Sequence, residues 1–200
     1  MSKLYINKQV KLLNNTVYIN REKEFSVDSN ETFLSFAKSV YKNYHIKYSK
    51  FYKMDELSKL GFLAAEIILR DAPRDSISSE EIAIVLANSS ASLHTDNKYQ
   101  KTLTEIPSPS VFVYTLPNIV SGEICIRNDI KGESLFFIQE EFDTLFFNNY
   151  INYLFENTNT KLSITGWVEM KMNGDYQTYL YLISRNEEGM EFNETNLKLK

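Results

Sequence analysis

The stretch SLFFIQEEFDTLFF, residues 134–147, runs an apolar strand pattern straight into a helical one. Such a junction can activate a nucleophile, because the first turn of a helix offers free N–H groups and a positive dipole end. This chain puts Gln139, Glu140 and Glu141 there. A carboxylate is a poor acyl acceptor, since its product is a labile anhydride. Nor can it polarise a carbonyl, which needs a donor where a carboxylate only accepts. By residue type, the two glutamates are expected to satisfy first-turn N–H groups and suit the dipole, at about 0.3–1 kcal/mol each.

The other reactive residue types are sparse. Cys125 lies inside the helical pattern PNIVSGEICIRND between Ile124 and Ile126, with no His nearby in sequence, and reads as a structural thiol. His94, in SLHTD, is followed by Asp96, which could orient it, but a base without a nucleophile has nothing to activate. His45, His94 and one Cys do not make a metal-ligand cluster. Glycine-rich phosphate loops are absent. The small polar residues of NSSAS and LHTD could hydrogen-bond a ligand, as many loops do without function. No cofactor or metal is expected.

The totals frame these residues. A chain of 200 residues with 43% apolar and 14% aromatic residues can build a substantial core, and a single domain over 1–200 is expected. Six Gly and four Pro leave little room for low-complexity segments. A net charge of −4, with scattered Lys and Arg, argues against a nucleic-acid surface. The apolar helical run LGFLAAEIIL has ten residues and contains Glu66, too short for a bilayer, and the start MSKLYINKQVKL lacks a signal-peptide core. One cysteine suits a reducing compartment, so a cytoplasmic protein is expected.

The elements that must position these groups follow from periodicity. Residues 3–27 alternate weakly and predict one or two short strands. A helix follows a Ser29 or Asn30 cap with Phe33, Phe36, Ala37 and Val40 on one face. A second, capped by Asp55, buries Leu57, Leu60, Ala64, Ile67 and Ile68. EIAIVLAN, 81–88, reads as a strand covered on both faces. A polar loop and short helix, an irregular IPSPS loop and a helix opening near Pro117 lead to strand 134–138. Helix 141–156 and a hairpin of strands 162–170 and 176–184 complete the chain. The class is α/β: about five strands in a mixed, mostly parallel sheet, the last antiparallel, with helices on both faces.

Three stretches taken in order carry a family resemblance: FYKMDELSKLGFLAAEIIL, IAIVLANSSASLHTD, and PSVFVYTLPNIVSGEICIRNDIKGESLFFI. Together they resemble the N-terminal half of a β-ketoacyl synthase of thiolase-like fold. ITGWVEM resembles the later family strand that carries Ala-Gly-Gly-x-Glu, so the likeness spans roughly residues 50–185. It implies a half thiolase-like fold. Counted from Gly132, the family's nucleophilic Cys falls on Glu141, and the Pro after that Gly is Glu133 here. The family's catalytic histidines and lysine belong to a second half that has no counterpart in these residues. The resemblance implies the fold and removes the chemistry.

In full-length synthases the helix after the junction is enclosed between the two halves. Here Phe142, Phe146, Phe147, Tyr150, Ile151, Tyr153 and Leu154 form a broad apolar arc, with Asn148, Asn149, Asn152 and Glu156 opposite. Phe146 and Tyr150 are expected to be buried, and Asn148 and Asn152 exposed. The polar strip is the pattern of a half-fold that meets water or a wet interface.

Three functions follow as expectations. One is a non-catalytic subunit like a chain-length factor, in fatty acid or polyketide (aryl polyene-like) synthesis, forming a homodimer or a heterodimer with a full-length ketosynthase. Another is a stand-alone regulator that binds an acyl group or an acyl carrier protein. The last is an enzyme using Glu141 or Asp143. No nucleic acid or membrane partner is expected. In thiolase-like dimers the strand before the nucleophile pairs with its copy across a two-fold axis. The resemblance therefore places the interface on Ser134, Leu135, Phe136, Phe137 and Ile138, with Phe112 and Tyr114 contributing. An apolar edge strand with no Lys or Pro would otherwise template aggregation.

Overall fold

The computed structural model describes residues 3–74, 76–104 and 106–197. Its centre is β4 (Ile82–Asn88), buried along its whole length. Only a strand covered on both faces tolerates seven consecutive residues of this kind. β4 pairs in parallel with β5 (Ser134–Ile138) on one side and β6 (Leu162–Met170) on the other. β7 (Tyr176–Ser184) returns antiparallel to β6. The sheet then extends through β1 (Tyr5–Leu13), β2 (Thr16–Ile19) and β3 (Glu22–Ser26), so its order is β3-β2-β1-β7-β6-β4-β5. The short β8 (Met190–Glu191) pairs with β1.

Two expectations are corrected here. The N-terminal segment forms three strands instead of one or two, and among the described residues the sheet has eight strands where about five were expected. The sheet is also not mostly parallel: among the described strands β4 alone makes parallel pairs, and the other five pairings are antiparallel. The reason is the partner of β7. Its outer edge takes up β1 over most of its length, from Tyr5↔Ser184 to Leu13↔Gln177, a pairing that local periodicity cannot reveal.

Helices cover both faces. On one lie α1 (Phe33–Asn43), α2 (Glu56–Leu69) and α5 (Ile119–Asn128), whose Phe36, Leu60, Leu63, Ile68 and Ile124 share one core with Ile84 and Leu86 of β4. The other face carries α6 (Thr144–Asn157), whose Phe147, Ile151, Leu154 and Phe155 pack on Val85, Trp167 and Ile183. α3 (Leu93–Thr102) and the short α4 (Pro109–Phe112) lie in the crossover from β4 to β5. Asp55 caps α2 as expected, accepting from Ser58 N at 2.9 Å. The cap of α1 is Thr32, which accepts from Ser35 N, and not Ser29 or Asn30. Gly132 leads into β5 because a Cβ there would stand 2.4 Å from the Ile82 carbonyl oxygen. No helix among the described residues is long and apolar enough to cross a membrane.

Candidate functional site

β5 is the last strand of the sheet, and no described strand pairs its outer edge. Its sequence supplies apolar groups to both faces. Phe136 packs toward the α2/α5 core and Phe137 toward the α6 core. Ser134 and Ile138 are exposed, Ile138 by 52%. Phe137 continues into an aromatic ladder along α6, lying 4.9 Å from Phe146 and 5.7 Å from Tyr150 between ring centroids. Tyr150 in turn faces Tyr153, which is 56% exposed.

This ladder corrects the expected orientation of α6. Phe146 and Tyr150 are half-buried, and the buried stripe is Phe147, Ile151, Leu154 and Phe155. Asn148 and Asn152 are half-buried too, with Asn152 Nδ2 donating to the Asn148 carbonyl at 2.7 Å. The helix turns Phe146 and Tyr150 toward β5 because Phe137 receives them there.

The junction also differs from its expectation. The helix starts at Thr144, not 141, and its cap is Asp143, which accepts from Phe146 N at 2.9 Å. Glu140 and Glu141 lie in the connecting loop, exposed, and cap nothing. Phe142 precedes the cap and stacks on Phe147, four residues after it, an arrangement that fixes the angle at which the chain enters the helix. The signal was present in FDTLFF: an apolar residue, an Asp, and an apolar residue four further on.

The loop at the carboxyl end of β4 is tied down from within. Glu169 of β6, 1% exposed, accepts from Ser89 N at 2.8 Å, Ser89 Oγ at 2.5 Å and Ser90 N at 3.3 Å. Asn88 holds Ala91 by two side-chain bonds of 2.9 Å each. Gln139 N donates to the Asn88 carbonyl at 3.0 Å, tying the junction to this turn. The hydrogen-bonding groups of NSSAS are therefore largely engaged within the protein. Residue type alone does not mark a glutamate on a strand as buried; the signal for Glu169 is its place in ITGWVEM, where it falls on the Glu of the family strand.

The reactive residue types are dispersed. His94 stands 3.9 Å from Glu56, whose other oxygen pairs with Lys98, in an open cleft of about 960 Å³. Asp96 does not orient His94; it accepts instead from Ser92 Oγ at 3.2 Å. Cys125 lies 3.7 Å from Ser134 Oγ, and burial pushes its thiol above the ordinary range. No cluster of three or more His, Cys, Asp or Glu side chains among the described residues is placed to hold a metal.

Phe112 and Tyr114 separate. Phe112 is 57% exposed, as are, to similar degrees, Leu103, Val113 and Leu116, while Ile106 is 85% exposed. Tyr114 is buried, its hydroxyl donating to Glu123 at 3.0 Å, and Lys50 pairs with the same carboxylate. Tyr114 therefore has little surface to offer a partner, and anchors the exposed apolar segment around it.

No protein-family model and no curated protein matches the chain. Solved structures do. The ishigamide ketosynthase/chain length factor superposes with a TM-score of 0.67 at 16% identity, over 94% of this chain and 64% of that one. A ketosynthase (ApeO) in complex with its chain length factor (ApeC) from Xenorhabdus doucetiae gives 0.61 at 12% identity, over 91% of this chain and 79% of the matched chain. AntDE:AntF, a type II polyketide acyl-carrier protein in complex with its ketosynthase, gives 0.63 at 10% identity, over 94% and 63%. The chain thus has the thiolase-like fold of ketosynthases and chain length factors, and spans less than two thirds of the length of the first of these.

Proposed function

We propose that this chain is a non-catalytic ketosynthase-like subunit, a single N-terminal-type unit over its length. It pairs edge to edge through β5 with an active ketosynthase or a second copy of itself, in cytoplasmic assembly of fatty acid or polyketide chains of the aryl polyene type. The observation that carries this reading is the open edge of β5. Its backbone N–H and C=O groups have no strand outside them among the described residues, and its apolar side chains continue into the Phe146–Tyr150–Tyr153 ladder. Buried backbone groups demand partners, and two-fold strand pairing supplies them. A stable interface of about 1,200–2,000 Å² needs more than five residues. The exposed apolar residues from Leu103 to Leu116 and Ile126 of α5 are available to extend it. Two structural neighbours are described by names that join a ketosynthase with a chain length factor, and a third includes an acyl carrier protein, a further candidate partner here. The carboxylate at 141 supports the non-catalytic part, because it cannot replace a thiolate as acyl carrier.

The test is the mass of the purified chain by light scattering, alone and mixed with a full-length ketosynthase from the same cell, for wild type and Ile138→Lys. Phe136 packs inward, so the exposed Ile138 is the better probe. A discrete dimer that Ile138→Lys converts to monomer is expected. A monomer that binds no ketosynthase, or a dimer untouched by the substitution, overturns the assignment.

A further inference from the structure

At the opposite end of the sheet, near the amino ends of β4 and β5, the C-terminal ends of α1, α2 and α5 surround a cleft of about 490 Å³. Among the described residues, Lys47, Arg70, Arg74 and Arg127 line it against one carboxylate, Glu66. Three of the chain's five arginines therefore gather in one cleft of a protein with net charge −4.

Cations at helix C-termini ordinarily balance the dipole, and that explains part of the cluster. Arg70 Nη2 donates to the Tyr44 carbonyl that ends α1, with its guanidinium 5.3 Å from the Tyr44 ring centre. Lys8 Nζ donates to the Ile67 and Arg70 carbonyls at 2.8 and 2.9 Å, covering the end of α2. Arg127 holds Glu66 with both ends of its fork, at 3.1 and 3.2 Å, and lies 5.2 Å from the Tyr48 ring centre. The carbonyls named here, which would repel an anion, are thus already paired.

Arg74 and Lys47 are left over. Arg74 follows α2, and its Nη1 is buried with no acceptor among the described residues. A guanidinium N–H taken from water without a partner carries the full desolvation cost, so the half-buried Arg74 gains by turning this group toward an acceptor in the cleft it lines. Lys47 is exposed at the cleft and has no partner among the described residues. Asp71 and Glu24 act on Lys8 and Tyr44 from outside, but neither lines the cleft.

We propose that this cleft binds a phosphate-bearing small molecule. Arg74 and Lys47 contact its oxygens directly, and Arg127, oriented by Glu66, completes the cradle. Phosphate suits this set because a guanidinium fork meets two of its oxygens at once while a lysine adds a mobile point charge. No residue of β5 lines the cleft, and the binding proposed here does not depend on the pairing proposed there.

Titration calorimetry with inorganic pyrophosphate and with ADP tests it on wild type, Arg74→Gln and Lys47→Gln. Saturable binding tighter than about 1 mM is expected, weakened about tenfold or more by each substitution. Pyrophosphate and ADP binding alike would identify the phosphate group as the whole determinant, and ADP binding alone a phosphate ester. Lys47→Gln removes an exposed, unpaired side chain, so its fold is secure even if Arg74→Gln melts early. No saturable binding of either probe up to about 10 mM, or equal binding by wild type and Lys47→Gln, overturns the proposal.

Discussion

The ring of Phe142 stacks on that of Phe147, centroids 4.6 Å apart and planes 29° from parallel, across the Asp143 cap between them. This contact, rather than the glutamates before it, sets where α6 begins and which way it faces. Phe147 is fully buried as a result, and Phe146 looks toward β5.

Phe147→Ala should therefore cost about 3–5 kcal/mol, the usual range for removing a buried aromatic ring. Phe146→Ala should cost less, and Asn152→Ala should stay within about 0.5 kcal/mol. Urea titrations of the three variants give the ranking. Phe146→Ala more damaging than Phe147→Ala would mean that α6 is rotated from the orientation described.

Asp143→Ala should lose about 0.5–2 kcal/mol through the cap, and Asp143→Asn much less, since its amide oxygen can still accept from Phe146 N. Glu140→Gln and Glu141→Gln should each change stability by no more than about 0.5 kcal/mol. Thermal melts decide this, and a larger loss from Glu141→Gln would place that residue at the cap after all.

Glu141→Cys should form no covalent acyl adduct with acyl-carrier or acyl-thioester substrates, as read by intact mass. An ordinary thiol is mostly protonated at neutral pH without a base beside it, and His94 lines a different cleft from the one that Glu141 lines. An acylated variant would show that a base reaches this position.

Asp55 and Glu56 should shape stability against pH in opposite senses. Burial holds the Asp55 carboxyl above its ordinary value, despite its bonds from Thr95 and Ser58. The native state then binds that proton more tightly than the unfolded chain. This contribution is present at low pH and is lost as pH rises from the ordinary carboxylate range through the folded value. For Glu56 burial acts upward too and is the largest single influence, but the Lys98 ammonium, together with a backbone hydrogen bond and His94, holds the group below its ordinary value. Its contribution is present above the ordinary range and is lost as pH falls through the folded value. Asp55→Asn, which can keep the cap, should make stability rise more steeply with pH across this window, and Glu56→Gln should flatten it. Denaturant midpoints across the carboxylate range measure both, and parallel profiles for wild type and Asp55→Asn would refute the account for Asp55.

Much of the architecture was legible in residue order. The unbroken apolar run of β4, the Asp55-capped α2, the apolar β5 and the closing β6–β7 hairpin are local patterns, and local patterns survive folding when burial agrees with them. The acidic junction, too, could be read as lacking a thiol nucleophile from residue types alone. Tertiary structure decided what depends on distant partners. The pairing of β1 with β7 turned a weakly alternating segment into a three-strand extension and changed the balance of the sheet. The position of Phe137 turned Phe146 and Tyr150 half outward. Burial made Glu169 the fastener of the β4 turn, and three helix ends brought together arginines up to 57 positions apart (127 − 70). Periodicity reports which face of an element is apolar. It carries no information on which distant surface will cover that face, and that second choice set the edges, clefts and exposed ladder of this protein.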